Sequence, residues 1–451
     1  MARLIELDWP EYGPDPERPA FTPEELEERI EALRRAARAR ELTHLAVYGD
    51  REHFANLAWL TGFDPRFEEA LLLIAVDGGE PLLATGNECM AYLPISPLRR
   101  EGRLRAERYQ PFSLLDQPRD DSRTLGEILR GEGIGAGSRV GCVGNKFYAD
   151  PTWIDAPAYI VDTLRGCAGE VCDATELAVR LRARCTAAEI AFFEYTNFKA
   201  SEAMRRVVFG LREGMTDHEM LAAARYDGLP LGCHMTCKTG PNRVSLASAS
   251  GAVARRGYPW SANIAYWGAN VCRANWVAEG PADLPEPARD YVEVFAGPYL
   301  DACAEWVGAL RIGARGGELH ELIQRRLPFD KYKIFLNAGH LIHFEEWLSS
   351  PVYAGSMETV ASGMVFQTDI IPSHPVYFSS RMEDALAIAD EPLRAELAAR
   401  FPAAWARIDA RRRFAASVLG FPMREEHLPL GNTFGIVAPF ALQPRHVFAI
   451  P

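Results

Sequence analysis

The sequence predicts two domains, an α/β domain followed by an α+β domain. In the first 175 residues, short apolar runs such as HLAVYG and RVGCVG alternate with segments of helical periodicity, as in α/β folds. From about residue 232, apolar and polar residues alternate in WSANIAYWGANVCRANWVAEG, which is typical of antiparallel strands. The 451 residues suffice for two domains of ordinary size.

Local signals predict the first elements. Residues 1–20 are rich in Pro and acidic residues and are expected to form an arm outside the core. The first helix begins behind Thr22, which suits the N-cap, with Pro23 at the first helical position and Glu25 closing a capping box. Strands and helices alternate from there, and the α/β domain is predicted at residues 21–175.

The second domain begins with a long helical pattern. It starts near Glu176 and stops before Gly214, and a further capping box, Thr216 with Glu219, opens the next helix. After the antiparallel sheet, two helices, the strands MVFQTDIIPS and DALAIAD and a late helix over RAELAARFPAAWARIDARRRFAASVLG are predicted. The Pro-rich end of the chain is expected to pack against this domain, predicted at residues 176–451, or against a partner subunit.

Composition limits the function classes. The chain is 48% hydrophobic and 24% charged, with a formal net charge of -12, which argues against nucleic acid or an anionic membrane surface as a partner. The sequence shows no basic, apolar leader and no apolar run long enough to span a bilayer. The nine cysteines are scattered, with no CxxC pair, and reduced thiols in the cytoplasm are therefore expected.

Six segments, in order, resemble motifs of one known family. They are YGDREHFANLAWLTGFDP, RLRARCTAAEIAFFEYTNFKASEAM, LREGMTDHEM, NAGHLIHFEE, ASGMVFQTD and RMEDALAIAD. In this order the chain resembles the creatinase/aminopeptidase P/prolidase (M24) family over nearly its whole length. The resemblance implies a creatinase-type α/β N-terminal domain and an α+β catalytic domain with the pita-bread fold.

The resemblance also places the family's metal ligands, which are two Asp, one His and two Glu around two divalent cations. In chain order these positions fall at Asn263, near Ala274 (with Asn270 and Asn275 as neighbours), His340, Asp369 and Glu383. A further histidine of the family would lie near Ala247 or Ser248, where this chain has none. The match to the ligand set is therefore partial.

Two metal ions held close together need bridging carboxylates to neutralise their repulsion. Asn263 and Ala274 cannot supply that charge, so no dinuclear site is expected. One nitrogen and two carboxylates, from His340, Asp369 and Glu383, could hold a single Mn, Fe or Zn ion. A site without any cofactor is the expectation, with the single ion as the alternative.

In a metal-free site, as in creatinase itself, the acids bind a cationic group of the substrate and a histidine moves protons. Here Asp369 and Glu383 would be the acids, and His340 or His343 would carry the proton. The candidate substrate-binding residues are Arg381 and Arg273, as anchors for a carboxylate, together with Asn263 and His234.

Other polar residues have plainer explanations. His343 is equally well explained as a hydrogen-bonded structural histidine. Glu345 and Glu346 are expected on a solvated rim, and Asp384 is expected to orient its neighbours. The GCHMTC segment, with Cys233, His234 and Cys237, reads as a strand rather than a zinc site, because a strand sends consecutive side chains to opposite faces.

Three functions remain open. The first is a hydrolase or lyase acting on a C–N or similar bond of a small nitrogenous or peptide-like molecule, without a dinuclear metal centre. The second is a metal-dependent Xaa-Pro aminopeptidase or dipeptidase, and the third is a non-catalytic relative that keeps the pocket for binding. By family resemblance a homodimer is expected.

Overall fold

The computed structural model describes residues 2–150, 152–241 and 247–451. The chain divides into two compact units, one of residues 20–182 and the other of residues 1–19 with 183–451. The two units approximate the predicted domains, but the predicted arm groups with the second unit. Strand β1 (Arg3–Glu6) lies in this first stretch and pairs antiparallel with residues 446–449, so the stretch is not an arm outside the structure.

The 20–182 unit is built on a six-stranded mixed sheet flanked by helices. In chain order its strands are β2 (His44–Gly49), β3 (Ala70–Ala75), β4 (Leu82–Thr85), β5 (Arg105–Arg108), β6 (Arg139–Val143) and β7 (Glu170–Asp173). Its helices are α1 (Pro23–Ala39), α2 (Phe54–Thr61), α3 (Cys89–Tyr92), α4 (Pro97–Arg100), α5 (Leu125–Gly131), α6 (Ala158–Cys167) and α7 (Thr175–Arg182), with 3-10 turns at Leu93–Ile95 and Gln110–Phe112.

The strand order in this sheet is β5-β4-β3-β2-β6-β7. Strands β2 and β6 and strands β6 and β7 pair in parallel, whereas β3 pairs antiparallel with both of its neighbours. Strand β3 is buried along nearly all of its length, as expected for a central strand covered by helices. The capping box predicted for α1 is present, with Thr22 and Glu25 bonded to each other's backbone.

The second unit contains two four-stranded antiparallel sheets among its described residues. Its strands are β8 (Thr236–Thr239), β9 (Tyr258–Tyr266), β10 (Ala269–Val277), β11 (His340–Leu341), β12 (Val365–Gln367), β13 (Arg381–Glu383), β14 (Ala385–Ile388), β15 (His427–Pro429) and β16 (His446–Ala449). Its helices are α8 (Ala187–Gly210), α9 (Asp217–Ala222), α10 (Gly297–Ala309), α11 (Gly316–Arg326), α12 (Phe329–Tyr332), α13 (Glu391–Arg400) and α14 (Pro402–Ser417), with 3-10 turns at Pro281–Asp283 and Glu286–Ala288 and a π-turn at Val292–Ala296.

The strand orders are β13-β10-β9-β8 in one sheet and β11-β12-β14-β15 in the other. Only Asp384 separates β13 from β14, so the chain passes directly from the first sheet into the second there. The long helix α8 packs against β9 and β10. The two sheets therefore meet near Glu383 and Asp384, and side chains from both can converge.

Two sequence expectations differ in detail. The late helix predicted as one element is two, because Phe401 lies outside helical geometry between α13 and Pro402, as a proline at the first helical position favours. The alternating pattern predicts antiparallel strands from about residue 232, but residues 247–250 form no strand, and residues 242–246 lie outside the described residues. Among the described residues, no helix combines the length and hydropathy needed to cross a bilayer.

Candidate functional site

Four titratable side chains converge where the two sheets meet. His340, Glu346, Asp369 and Glu383 each offer a nitrogen or oxygen ligand atom, and these atoms all lie within 4.8 Å of one another. His340 Nε2 lies 3.0 Å from Glu346 Oε1 and 3.7 Å from Asp369 Oδ2. We call these four residues the acid cluster.

The backbone places His340 and Asp369 together. His340 stands on β11 opposite Gln367 of β12, and Asp369 follows β12 by two residues. Gly339 precedes His340 with φ +92° and donates its N–H to the Asp369 carbonyl at 3.0 Å. A Cβ at Gly339 would lie 2.6 Å from the Trp306 ring, so the turn requires glycine.

Glu346 reaches the cluster because the chain folds back after β11. At the base of this loop the Leu348 N–H donates to the Leu341 carbonyl, and the Leu341 N–H donates to the Ser349 carbonyl. Glu346 therefore returns to His340, and the Trp347 indole stacks on the imidazole with ring centroids 4.1 Å apart. The expectation that Glu345 and Glu346 lie on a solvated rim is wrong, since Glu345 is buried and the Glu346 side chain is 21% exposed and pairs with His340. Adjacent acids after a histidine were the signal, but the return of the loop is a tertiary feature.

Burial and crowding set the charges of the cluster. Burial would lower the pKa of His340, but the Glu346 and Asp369 carboxylates raise it above its usual value. Burial raises the pKa of Asp369 and, with the Asp369 charge, raises the pKa of Glu383 well above its usual value. Asp369 Oδ1 is buried with no hydrogen-bond donor among the described residues. The cluster thus carries more negative charge than its protein neighbours neutralise.

The register of the first sheet defines the floor of the site. Cys272 of β10 lies directly opposite Asn263 of β9 on one side and Glu383 of β13 on the other. Paired residues of antiparallel strands share a face, so these three positions belong to the site. Ala274, near which the resemblance places the family's second Asp, pairs instead with Ser261 and Arg381, one two-residue step along β10 from Cys272.

Amide side chains bridge this floor to the acids. The Asn270 side-chain N–H donates to Glu383 Oε1 at 2.7 Å, and Asn263 donates to Asn270 Oδ1 at 3.3 Å. The Thr236 backbone N–H donates to Asn263 Oδ1 at 2.8 Å, which fixes the orientation of the amide. Asn263 is therefore held in a hydrogen-bond chain that ends on a cluster acid.

The two arginines proposed as substrate anchors lie on opposite faces of β10 and β13. Arg273 donates to both Asp384 oxygens at 2.9 Å and to four backbone carbonyls. All of its donor groups are used, so its assignment as a substrate anchor is replaced by a structural role. Arg381 shares the face of Glu383, and its Nη1 lies 3.1 Å from Cys272 Sγ. Its buried Nε has no acceptor among the described residues.

His343 and His234 are not in the acid cluster. His343 is fully buried and groups with Cys185 and Glu189, with its Nε2 3.4 Å from Glu189 Oε1. His234 is exposed, and its carbonyl, not its ring, lies 3.4 Å from Asn263 Nδ2. Its neighbour Cys233 does face the site, where burial and the Glu346 and Glu383 charges raise the pKa of its thiol.

The donor set of the acid cluster fits one divalent ion. It supplies one imidazole nitrogen and carboxylate oxygens from three residues, all close enough to share an ion, and Asp369 Oδ1 has no competing donor. On the floor of the site this chain has Asn263 and Cys272, neither of which supplies a carboxylate. The residues present therefore fit a mononuclear site.

Comparison with known proteins identifies the fold. No family model matches the sequence, and no curated protein matches it. Among solved structures, the prolidase from Pyrococcus horikoshii OT3 superposes with a TM-score of 0.63 at 14% identity, over 80% of this chain and 95% of that one. The dipeptidase PepE from Mycobacterium ulcerans gives 0.61 at 17% identity, over 83% and 95%.

The N-terminal domain of FACT complex subunit SPT16 from chickpea is similar to a comparable degree, with a TM-score of 0.58 at 15% identity over 82% of this chain and 95% of that one. The fold is thus shared by proteins named as peptidases and by one named as a subunit of a complex. Fold alone does not fix function. The predicted fold class, a creatinase-type α/β domain with a pita-bread domain, is confirmed by these structures.

Proposed function

We propose that this protein is a hydrolase of the M24 type that acts on a C–N or similar bond of a small nitrogenous or peptide-like substrate. The observation that carries the proposal is the acid cluster, in which an imidazole and three carboxylates lie within 4.8 Å. Two of these acids, Asp369 and Glu383, have raised pKa values, and perturbed acids beside a histidine are common in catalytic sites. The cluster also reaches the surface through Glu346 and Trp347.

The excess negative charge gives the site its chemistry. It can be balanced by protons, by a cationic group of the substrate or by one divalent ion held by His340, Glu346, Asp369 and Glu383. When bound, such an ion would supply Lewis-acid activation of water or of a carbonyl. We propose at most one ion, because Asn263 and Cys272 stand where a second would need carboxylates.

The protein groups then have distinct roles. Glu346 and His340, 3.0 Å apart, share a proton that can pass to a leaving nitrogen. Glu383, whose pKa is raised well above its usual value by burial and by the Asp369 charge, is the candidate proton donor. Arg381 offers its Nε to an anionic group such as a substrate carboxylate, and the Trp347 ring covers His340 from the solvent side.

A metal-dependent Xaa-Pro dipeptidase or aminopeptidase is the second candidate. It is favoured by structural neighbours named prolidase and X-Pro aminopeptidase and by the third carboxylate that Glu346 adds. A binding relative without catalysis is the third candidate, since a complex subunit shares the fold. Partnership with a second copy of the chain is likewise a proposal, which light scattering of the purified protein tests.

The deciding experiment is a screen of small amides, amidines and Xaa-Pro dipeptides with and without EDTA, together with metal analysis. We expect turnover of a small C–N substrate with no more than one metal equivalent in the acid cluster. Glu346→Gln should lower kcat by about 10²-fold or more, whereas Glu345→Gln, outside the cluster, should not. If the wild type cleaves Xaa-Pro dipeptides and the Asp369→Asn variant loses two metal equivalents at once, the second candidate is established. Absence of turnover on every class would favour the third.

A further inference from the structure

A second group of metal-binding side chains lies apart from the acid cluster. Cys185, Glu189 and His343 each offer a ligand atom, all within 4.8 Å of one another, and all three residues are buried. We propose that these three residues, the thiol cluster, hold a transition-metal ion such as Zn²⁺. This inference does not depend on the proposed function.

The distance between the imidazole and carboxylate donors suits a shared ion. His343 Nε2 and Glu189 Oε1 are 3.4 Å apart, and two ligands of a tetrahedral ion with bonds of about 2.0–2.3 Å stand roughly 3.3–3.8 Å apart. The other Glu189 oxygen, Oε2, accepts from the Thr186 N–H at 2.8 Å and from its hydroxyl at 3.1 Å. The capping box therefore orients Glu189 so that Oε1 is directed at His343, as outer hydrogen bonds orient metal ligands.

The other two donors are held in place by packing. The Cys185 N–H donates to the Gly363 carbonyl at 2.8 Å, and a Cβ at Gly363 (φ +87°) would lie 2.8 Å from the Cys185 carbonyl oxygen. The His343 ring lies edge-on to Phe193, with centroids 5.0 Å apart, and 4.8 Å from the Phe344 ring. These constraints arrange the donors before any ion binds.

The donor chemistry distinguishes the two clusters. A thiolate, an imidazole and a carboxylate suit Zn²⁺ or Co²⁺, whereas three carboxylates and one imidazole also accept harder ions such as Mn²⁺. Three protein donors leave one tetrahedral position for a water molecule.

The position of His343 gives such an ion a consequence. His343 is three residues from His340, on β11, and three from Glu346, in the loop that follows β11. Glu189 lies in the first turn of α8, and Cys185 directly precedes the helix N-cap, Thr186. An ion in the thiol cluster would tether that loop to the helix and so hold the acid cluster in shape.

Cobalt substitution tests the proposal. The full chain is produced in cobalt-supplemented medium, and metal content is measured together with the near-ultraviolet absorption of thiolate-to-cobalt charge transfer. We expect this band in the wild type and its loss in Cys185→Ser, with one fewer metal equivalent in His343→Gln. Cys237→Ser, a buried thiol on β8 outside both clusters, should keep the band.

Two further variants separate this proposal from the proposed function. His340→Gln and Asp369→Asn should abolish turnover but keep the charge-transfer band, because the acid cluster has no thiol among its four members. No band in the wild type, or a band that survives in Cys185→Ser, overturns the proposal. A band lost in Cys272→Ser instead would assign the ion to the floor of the acid cluster and also overturn it.

If Cys185→Ser does not fold, the proposal is tested on the wild-type protein by the rate of thiol alkylation. Alkylation of Cys185 in low urea should slow by about tenfold or more when Zn²⁺ replaces EDTA, because an ion that binds only the folded state suppresses local opening. Alkylation of Cys237 should change far less. Equal protection of both thiols, or none at Cys185, contradicts a site at Cys185.

Discussion

Two histidine–carboxylate clusters in this protein differ in how well their carboxylates are hydrogen-bonded. In the 20–182 unit, His53 lies between Asp50 and Asp155, with its Nδ1 2.9 Å from one carboxylate and its Nε2 3.3 Å from the other. In the second unit, His340 faces Glu346 and Asp369 at similar distances. Distances alone would not tell these clusters apart.

The difference lies in what else the carboxylates bind. Asp50 Oδ1 accepts the backbone N–H groups of residues 52 and 53, and Asp155 Oδ2 accepts those of residues 145 and 146. Burial raises the pKa of each acid, yet His53 and these N–H groups lower it below its usual value. Asp369 and Glu383 have too few donors, and their pKa values are raised. Satisfied acids stabilise a loop, whereas unsatisfied acids are available to a ligand.

The largest expected effect is on stability and concerns Asp384, a buried acid whose charge is fully paired with Arg273. Arg273→Met leaves Asp384 buried without its guanidinium, and we expect a loss of about 3–5 kcal/mol in the free energy of unfolding. Urea denaturation followed by fluorescence measures it.

The double variant Arg273→Met with Asp384→Leu, which removes both charges, should recover much of the loss. A loss below about 1 kcal/mol in the single variant would show that the Arg273–Asp384 pair contributes little to stability. Hydrogen bonding of the acids would then not be the property that distinguishes the two clusters.

The comparison is tested directly by matched Asp→Asn changes. Asp369→Asn should lower kcat by about 10²-fold or more on the substrate found in the screen. In the EDTA-treated protein it should also raise stability at neutral pH, because the folded state disfavours the charged form of a group whose pKa is raised. Asp155→Asn should lower stability and leave kcat unchanged.

Stability and kcat are read separately by thermal unfolding and by steady-state kinetics. If both variants lose stability in EDTA, the acid cluster is a structural ion-pair network like that of His53, and the proposed catalytic role of Asp369 fails.

These contrasts also mark what the sequence could predict. The order of elements and the fold class followed from periodicity, from the capping boxes at Thr22 and Thr216 and from the family resemblance, since these signals are local or sequential. His340, Asp369 and Glu383, which the family resemblance grouped as candidate metal ligands, lie together in the structure.

The remaining site residues depend on tertiary geometry. Arg273 and Glu383 are on opposite faces of the sheet because the strand register decides which side chains share a face. The sequence of a single strand does not show which residues of the neighbouring strand lie opposite its own. Cys272 was missed for the same reason. Glu346 was misassigned because the loop after β11 folds back and brings it to His340. The same loop places His343 outside the acid cluster, beside Cys185 and Glu189.

The smallest expected effect is the pH dependence of the His53 cluster. Hydrogen bonds to Asp155 and Asp50, opposed by burial, raise the pKa of His53 from 6.5 to about 9. Its contribution to stability is therefore fully present below pH 6.5 and is lost as the pH rises through 9. The pKa of Asp50, lowered from 3.8 to about 2, gives a contribution that is present above pH 3.8 and lost as the pH falls through 2.

We expect roughly 1–2 kcal/mol between pH 6 and pH 9.5, since these side chains are partly exposed and salt screens the pair. Amide hydrogen exchange in strand β2, beside the cluster, reports this unit separately from the other. His53→Gln should flatten the profile between pH 6.5 and 9, while Asp369→Asn should leave it unchanged because the two clusters are in different units. A profile that is the same with and without the imidazole would mean that the backbone N–H groups alone satisfy Asp50 and Asp155, and the histidine would then be incidental to the loop it lies in.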